Sequence, residues 1–404
     1  MAKTSRVRRL SIESAQELPA ERDPFARESI EHLVRRYGSP LFLIDAERVR
    51  AQYRLLSAAL PGVELFYAIK CLPHPAVVAT LRDHGGCFDL ATNGEVELVR
   101  RLGVDAERCI HTHPIKRDSD IRTALSYGVT HFVVDNPEEL RKFEKYRNRA
   151  AILIRLAFRS ADAVCDLSRK FGCTPEAVPE LLELASELRI RVAGLSFHAG
   201  SQAATPRMHV EAIEVCRGLT SAASERGHDF SVLDIGGGFP VDYTGAPGSR
   251  SIGEFCAPIR RALEAIDPRL RIIAEPGRYV AAPSALSVSS VMGRAQRDGR
   301  WWYYLDDGLY GSYSGQVFDH AIYPIEPLSA SGPALPSVLA GPTCDSIDVI
   351  RDNIDLPELK AGDLIVGRMM GAYTWATATE FNFFPKTTVL ALDRGRLMAE
   401  GVLR

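Results

Sequence analysis

Residues able to do chemistry follow eight short apolar runs between residues 64 and 278 of this 404-residue chain. In chain order they are Lys70, Asp89, His113, Asp135, Arg155, His198, the Gly236-Gly237-Gly238 run and Glu275. A lysine amine can form a Schiff base with an aldehyde, and a carboxylate can keep a heterocyclic nitrogen protonated. Glycine N–H groups can approach a phosphate closely. Each of these residue types therefore has a functional interpretation in binding a cofactor that carries an aldehyde, a ring nitrogen and a phosphate.

Each of these residues also has an ordinary structural explanation. Lys70 could extend its amine from the rim of a sheet into water, and Glu275 could form an ion pair with a nearby arginine. The glycine run could be a tight turn, since it matches neither the Walker A nor the GxGxxG pattern. His198 could be a core histidine or could stack flat on an aromatic ring. Taken alone, the residues leave these alternatives open.

The elements that must position these residues alternate between strands and helices. The predicted strands are 64–70, 87–92, 108–113, 131–135, 151–158, 192–198, 231–237 and 271–277. Helix starts are predicted at Asn136-Pro137 and Thr174-Pro175, and helix stops at Gly85, Gly103, Gly128 and Gly227. A doubly wound open sheet is the rival arrangement, but eight strands favour a closed parallel (β/α)8 TIM barrel of the α/β class. In such a barrel, the strand ends meet above one pocket.

A second, mostly β domain is expected after about residue 280, where the helical periodicity ends. Runs such as WWYYLDDGLY (301–310) and DLIVGRMMGAY (363–373) resemble strands separated by turn residues. LFLID (41–45) is a strand that precedes the barrel count. We therefore assign residues 1–44 as an N-terminal segment joining the β domain, 45–280 as the barrel and 281–404 as the C-terminal β domain.

Composition excludes several classes of function. The formal net charge of −2 gives no basis for nucleic acid or an anionic membrane as a partner. No apolar run is long enough for a membrane span, and no apolar segment of a signal peptide follows the basic first ten residues. The eight cysteines form no CxxC pairs, so neither a metal site nor a disulfide framework is expected. Reduced thiols fit a cytoplasmic protein.

Five motifs in the first part of the chain together resemble the pyridoxal-phosphate-dependent decarboxylases of the alanine racemase fold, or fold type III. They are YAIKC (67–71), FD (88–89), SFHAGS (196–201), DIGGGFP (234–240) and AEPGRY (274–279). Three later motifs are similar to those of the ornithine and lysine decarboxylases within that family: DGLYGS (307–312), GPTCDSID (341–348) and GAYT (371–374). The similarity extends from about residue 30 to 385, in the same order and with similar spacing.

The resemblance implies a fold and a set of cofactor-binding residues. It implies a barrel that binds pyridoxal 5'-phosphate and a C-terminal β domain of the β-sandwich or Greek-key kind. Lys70 would form the Schiff base, Glu275 would pair with the ring nitrogen and His198 would stack on the ring. Asp89 and Arg155 would support the cofactor. The phosphate would be surrounded by Ser201, Gly237, Gly238, Gly277, Arg278 and Tyr373.

The resemblance also implies a homodimer whose two active sites are shared between the subunits. Cys344 and Asp345 would come from the other subunit, and the Cys344 thiol would protonate the α-carbon after carbon dioxide leaves. Asp319 and Asp345 would hold the distal ammonium of the substrate, and Tyr310 would also line the substrate site. Lys170 and Asp348 resemble a pair that forms a salt bridge across the dimer.

Two acidic residues for a distal ammonium favour a basic L-amino acid as substrate. We predict conversion of L-ornithine to putrescine, a step of polyamine biosynthesis. Conversion of L-lysine to cadaverine is the next most favoured reaction. One methylene separates the two, which a pocket discriminates by only about 1–3 kcal/mol. Ala340 before Gly341-Pro342, and Phe318 in place of a tyrosine, depart from the eukaryotic ornithine enzymes and resemble the bacterial ornithine/lysine enzymes.

The alternatives are other activities on the same fold. They are a lysine-preferring decarboxylase, a diaminopimelate decarboxylase, an amino-acid racemase and a catalytically inactive regulatory paralogue. Asp319 argues against diaminopimelate, whose distal carboxylate calls for an arginine. Cys344 stands where racemases use a tyrosine. Inactive paralogues lose cofactor-handling residues, whereas Lys70, Glu275 and Arg278 are retained.

Overall fold

A closed barrel of parallel strands forms the first half of the molecule. The computed structural model describes residues 23–158, 163–165, 168–244 and 250–403. Its strands are β1 Leu41–Asp45, β2 Val63–Ala68, β3 Cys87–Leu90, β4 Cys109–His111, β5 His131–Val134, β6 Ala151–Leu156, β7 Ala163–Cys165, β8 Arg191–Phe197, β9 Ser201–Ala203, β10 Val232–Asp234, β11 Arg271–Ala274, β12 Ala285–Arg297, β13 Arg300–Leu305, β14 Ile325–Pro327, β15 Leu335–Ala340, β16 Val349–Leu356, β17 Leu364–Gly367, β18 Thr388–Asp393 and β19 Arg396–Leu403. The barrel closes in the order β10-β11-β2-β3-β4-β5-β6-β8, while β7 and β9 form a separate pair. Both the closure and the eight predicted strands are confirmed.

Eleven α-helices lie among the described residues, and most of them cover the outside of the barrel. They are α1 Arg27–Tyr37, α2 Ala46–Ala59, α3 Pro75–Asp83, α4 Asn93–Arg101, α5 Asp118–Tyr127, α6 Pro137–Arg141, α7 Val178–Glu187, α8 Arg207–Glu225, α9 Ile252–Leu263, α10 Arg278–Ala281 and α11 Gly315–Phe318. Helices α3–α9 connect successive barrel strands, and α2, which precedes β2, packs against α3, α9 and α10. Helix α2 thereby completes the ring. Among the described residues, no helix has both the length and the apolar character that a membrane crossing requires.

The helix boundaries follow the predicted capping residues with one exception. Asn136 caps α6, because its side chain accepts a hydrogen bond from the Glu139 N–H. The four predicted stop glycines all have positive φ angles, which glycine adopts without a steric penalty: Gly85, Gly103, Gly128 and Gly227. A helical segment also begins at Thr174-Pro175, as predicted, with Pro175 at its first position. These residues begin a short 3₁₀ turn that leads into α7, and the Thr174 side chain makes no capping bond.

The barrel interior has two layers of different polarity. Apolar side chains form a buried inner cluster: Phe66, Cys87, Ile110, Val133, Ala151, Leu153, Ala193, Val232 and Ile273. Side chains alternate between the two faces of a strand, so a residue two positions further along also points inward. On or directly after six strands, that next residue is polar: Asp89, Thr112, Asp135, Arg155, Asp234 and Glu275. Because of this alternation, a layer of polar side chains lies above the apolar layer. The polar layer is at the end of the barrel where the carboxyl ends of the strands meet, which we call the mouth.

The second half of the chain forms a nine-stranded mixed sheet, so the predicted β domain is confirmed. Strand β1 lies inside this sheet, between β12 and β18. The long strand β12 joins two parts of the sheet, because residues 285–290 pair with β1 and β17 and residues 291–297 pair with β13. The described chain therefore passes from β1 in the sheet through the barrel and returns to the sheet at β12.

Histidine burial makes the stability of the fold sensitive to acid. The fully buried His111 stacks on Phe132, and its burial, followed by the charge of Lys116, lowers its pKa from 6.5 to about 4. The unfolded chain therefore takes up this proton at a higher pH than the folded chain. The stabilising contribution of His111 is complete above pH 6.5 and is lost as the pH falls toward about 4.

We expect His111→Phe to reduce this acid sensitivity. Between pH 7 and pH 5, its free energy of unfolding should fall by about 2 kcal/mol less than that of the wild type, because one buried titrating group is absent. Urea denaturation at the two pH values measures the difference. Equal losses in the two proteins would show that His111 is not held neutral in the folded chain.

Candidate active site at the mouth of the barrel

Lys70 lies in the 3₁₀ turn Ile69–Cys71, which directly follows β2. Its Nζ donates a hydrogen bond to Oδ2 of Asp89 at 3.0 Å, and Asp89 is buried on the adjacent strand β3. The lysine side chain keeps 44% of its surface exposed, so the amine faces an open pocket. Burial in the pocket opposes its charge, but the carboxylates of Asp89 and Glu275 outweigh this effect and raise the pKa of Lys70. At neutral pH the free amine is an ammonium that faces two carboxyl groups.

Glu275 and Asp234 form a buried pair of carboxyl groups at the ends of the neighbouring strands β11 and β10. The two side chains are hydrogen-bonded to each other, and Asp234 Oδ1 also accepts the N–H of Gly236 at 2.9 Å. Burial raises the pKa of Asp234 to about 6. Burial and the charge of Asp234 raise the pKa of Glu275 well above its ordinary value. Two buried carboxyl groups in hydrogen-bond contact favour sharing one proton, because ionising both would place two negative charges side by side.

A buried guanidinium lies on the other side of the mouth. Arg278 Nη2 donates to Ser201 Oγ at 2.7 Å and Nη1 donates to Tyr243 Oη at 3.0 Å. Arg278 also forms an ion pair with Asp319, and its Cζ lies 5.2 Å from the centre of the Tyr373 ring. Its Nε is buried and has no hydrogen-bond partner among the described residues. An unsatisfied buried donor beside a permanent positive charge is suited to an anion.

The glycine run makes close backbone contacts that a side chain would prevent. A Cβ on Gly236 would lie 2.1 Å from the carbonyl oxygen of Phe197, and one on Gly238 would lie 2.4 Å from that of Gly200. Both glycines also have positive φ angles, of 64° and 106°. A Cβ on Gly277 would lie 3.3 Å from Tyr373 Oη. The glycine run therefore presents main chain without side chains, packed closely against the loop that follows β8.

His198 presents a neutral ring to the same mouth. Its Nδ1 accepts the N–H of Gly200 at 3.1 Å, which places the ring proton on Nε2. Burial, and then the charge of Arg155, lower the pKa of His198 well below its ordinary value. A Cβ on Gly237 would lie 2.9 Å from His198 Nε2. The glycine thus leaves room for the imidazole ring.

Other predicted site residues form a second group on the sheet domain. Asp345 accepts hydrogen bonds from the Tyr310 hydroxyl and from the Ile347 N–H, and the N–H of the exposed Cys344 donates to Asn382. In the part of the chain that the structure describes, no hydrogen bond or ion pair of Cys344 or Asp345 reaches Lys70 or Arg278. Cys344, Asp345 and Tyr310 therefore belong to a hydrogen-bonded group of their own on the sheet domain.

Hydrogen bonds to the side chain of Asp348 hold the loop that carries this second group. Asp348 is buried and accepts hydrogen bonds from the backbone of Leu309 and Thr343 and from the Thr343 hydroxyl. Lys170, its expected partner across a dimer, is exposed and lies over the ring of Phe171.

The barrel mouth collects most, but not all, of the residues that the sequence indicated. It holds Lys70, Asp89, Arg155, His198, Ser201, Gly237, Gly238, Glu275, Gly277, Arg278, Tyr373 and Asp319. His113 and Asp135 instead accept hydrogen bonds from loop backbone at Ile115 and Gly172.

Three residues of the mouth received no role from the sequence: Thr112, Asp234 and Tyr243. The period of two along a strand could have identified Thr112 and Asp234, since each lies two positions beyond an inward apolar residue. Tyr243 lies in a loop, and nothing in its sequence context indicates its contact with Arg278.

The mouth fits pyridoxal phosphate in three respects. Arg278 and the bare glycine backbone supply an anion site, Lys70 supplies an amine for an aldehyde and Glu275 supplies an acid for a ring nitrogen. The unsatisfied Nε of Arg278 is a free donor that a phosphate oxygen could accept from.

Comparison with known proteins identifies the family. The sequence profile described as pyridoxal-dependent decarboxylase, pyridoxal binding domain, matches residues 46–282. This chain belongs to the pyridoxal-dependent decarboxylases.

Three relatives show its place among them. A lysine/ornithine decarboxylase of Selenomonas ruminantium is 35% identical over 371 residues, which are 91% of this chain and 94% of that protein. The crystal structure of a lysine/ornithine decarboxylase from Vibrio vulnificus, complexed with putrescine, is 53% identical with a TM-score of 0.86, over 91% of this chain and 98% of that one. Antizyme inhibitor 2 of Xenopus laevis is 38% identical over 361 residues, which are 84% of this chain and 78% of that protein.

We expect Gly238→Ala to disrupt the glycine run. The new Cβ would overlap the Gly200 carbonyl oxygen and would require a positive φ, so the change should cost about 1–3 kcal/mol of stability and weaken pyridoxal phosphate binding. Gly218→Ala is the matched control, because Gly218 is in the interior of α8 and a Cβ there would have no neighbour within 4 Å. That change should stabilise the chain by about 0.5–1 kcal/mol. Thermal unfolding and cofactor titration of both variants measure these effects, and wild-type cofactor affinity in Gly238→Ala would contradict the assignment.

Proposed function

We propose that this chain is a pyridoxal-phosphate-dependent carboxy-lyase that converts L-ornithine to putrescine, with L-lysine as its second substrate. The observation that carries the proposal is the arrangement at one barrel mouth of Lys70, Glu275 and Arg278. An amine, a protonated carboxyl group and a buried guanidinium lie where strand ends and their loops converge. The lysine/ornithine decarboxylases of Selenomonas ruminantium and Vibrio vulnificus support the choice of substrate.

Five side chains and the glycine backbone would hold the cofactor. Lys70 would bond covalently to its aldehyde, and Arg278 with Ser201 and the glycine backbone would bind its phosphate. Glu275 would transfer its proton to the ring nitrogen, because a buried carboxylate is stabilised by an adjacent positive charge. The neutral ring of His198 is suited to contact with an aromatic face.

Pyridoxal phosphate, when bound, supplies an electron sink for the electrons left when carbon dioxide departs. The residues of this chain prepare that event. Asp89 would pair with the ammonium of Lys70 when that amine is free, and Glu275 with Asp234 would favour a protonated ring nitrogen. The proton that replaces the carboxyl group would come from the thiol of Cys344.

The substrate's distal ammonium would lie between carboxylates. Asp319 already lies at the mouth, where it faces Arg278. Asp345 would complete the pair from a second subunit, with Tyr310 hydrogen-bonded to it. A cationic side chain balances these buried charges, whereas the terminal carboxylate of diaminopimelate would add to them.

A second copy of this chain would bring Cys344 and Asp345 to the mouth. Around Cys344 lie large apolar side chains with unusual exposure: Ile347 at 55%, Phe381 at 41%, Phe383 at 99% and Phe384 at 39%. Clustered exposed aromatic residues are typical of protein interfaces. These features support a homodimer with shared sites, in which Lys170 of one subunit would reach Asp348 of the other.

We also propose the domain division 1–44, 45–280 and 281–404 and a cytoplasmic location. The matched profile, residues 46–282, and the return to the sheet at β12 support these boundaries. Residues 1–22 lie outside the described part of the chain. Seven described cysteines are free, which supports a reducing compartment.

A panel of four substrates tests the proposed reaction. We expect carbon dioxide release from L-ornithine and L-lysine, with kcat/KM for L-arginine and meso-diaminopimelate lower by about tenfold or more. The guanidinium of arginine is larger than an ammonium, and the distal group of diaminopimelate carries a carboxylate that the acidic residues would repel. Lys70→Ala should abolish turnover and the visible absorbance of bound cofactor. Lys145→Ala, a surface lysine paired with Asp118, serves as the control with full turnover.

The same panel separates the alternatives. Full cofactor absorbance without carbon dioxide release would support a racemase, and no absorbance with pyridoxal phosphate would support an inactive paralogue like antizyme inhibitor 2. Preference for meso-diaminopimelate would contradict the role given to Asp319.

Mixing two inactive variants tests the shared site. Lys70→Ala and Cys344→Ala each remove one half of the proposed machinery from a different group. If the subunits exchange at random, half the dimers contain one intact site, so the mixture should regain about a quarter of the wild-type activity. Mass spectrometry verifies that the subunits exchange. If the mixture is then as inactive as each variant alone, both residues belong to the site of the same subunit.

A further inference from the structure

Thr112 contacts the carboxylate that holds Lys70. Its hydroxyl donates a hydrogen bond to Oδ1 of Asp89, while Oδ2 of the same carboxylate accepts from Lys70. Both Thr112 and Asp89 are buried, with 5% and 2% of their surfaces exposed. The direction of the bond is fixed, because an ionised carboxylate can only accept. One carboxylate oxygen of Asp89 therefore accepts from the charged donor Lys70, and the other accepts from the neutral donor Thr112.

The backbone sets Thr112 rigidly in this position. Its N–H donates to the carbonyl oxygen of Leu90 at 3.0 Å, which ties the end of β4 to the strand that carries Asp89. Thr112 also lies two positions beyond the inward Ile110, so its side chain belongs to the polar layer of the barrel. No motif of the sequence assigns a role to this residue.

The shared carboxylate affects the amine in two ways. A hydrogen bond from Thr112 withdraws charge from Asp89 and so weakens its attraction for the Lys70 ammonium. It also remains in place when Lys70 is not an ammonium, so that the buried carboxylate keeps one donor. Both effects favour release of the lysine proton, which an amine must lose before it can attack an aldehyde.

We propose that Thr112 is a positioning residue that makes Lys70 available as a neutral amine by sharing its counter-ion Asp89. The proposal rests on the proposed function of Lys70. It is tested on the full chain without bound cofactor, so that it can fail independently of that function.

The experiment measures the reactivity of Lys70 toward acetic anhydride as a function of pH, by mass spectrometry. Thr112→Val keeps the shape of the side chain and removes the hydroxyl, and Thr112→Ala repeats the removal without the added methyl group. In both, the pH midpoint of Lys70 acetylation should move upward by about one unit, equivalent to about tenfold less neutral amine at a given pH. Thr112→Ser keeps the hydroxyl and should restore the wild-type midpoint.

Thr80→Val is the matched control for loss of a buried hydroxyl. The Thr80 hydroxyl donates to the Ala76 carbonyl oxygen at 2.7 Å within α3, away from any carboxylate. Its removal should lower the thermal stability but leave the Lys70 midpoint unchanged. An unchanged or lowered midpoint in Thr112→Val and Thr112→Ala would overturn the proposal, as would a serine variant that behaves like valine.

Discussion

The alternation of side chains along parallel strands, combined with closure of the barrel, determines where the functional groups of this protein lie. Inward residues such as Cys87 and Ile273 close the interior with apolar groups. The next inward residues on the same strands, Asp89 and Glu275, then meet above that layer. In an open sheet these side chains would be spread along an edge, and no common pocket would form.

The groups that meet at the mouth are charged, and burial makes an unpaired charge costly. The structure meets this constraint by pairing. Lys70 faces Asp89, Arg278 faces Asp319, and Glu275 and Asp234 hold one proton between them. The same pairings set the chemistry, since they leave an amine beside a carboxylate, an acid for a ring nitrogen and a guanidinium for a phosphate.

The sheet domain contributes both architecture and chemistry. Strands β1 and β12, at the two ends of the barrel segment, pair with each other, so the barrel is anchored to the sheet at both ends. The loop with Cys344 and Asp345 is fixed by Asp348 and surrounded by exposed aromatic residues. In the proposed dimer, this group would complete the mouth of the other subunit.

The sequence by itself determined the strands, their number and most of the mouth, because hydrophobic period, capping residues and motifs such as AEPGRY depend only on nearby residues. It also indicated Lys70, Glu275 and Arg278 as one site. Only the tertiary structure placed Thr112 against Asp89, Asp234 against Glu275 and Tyr243 against Arg278. These contacts join residues on different strands and loops, and their distances follow from barrel closure and packing, which no local pattern encodes.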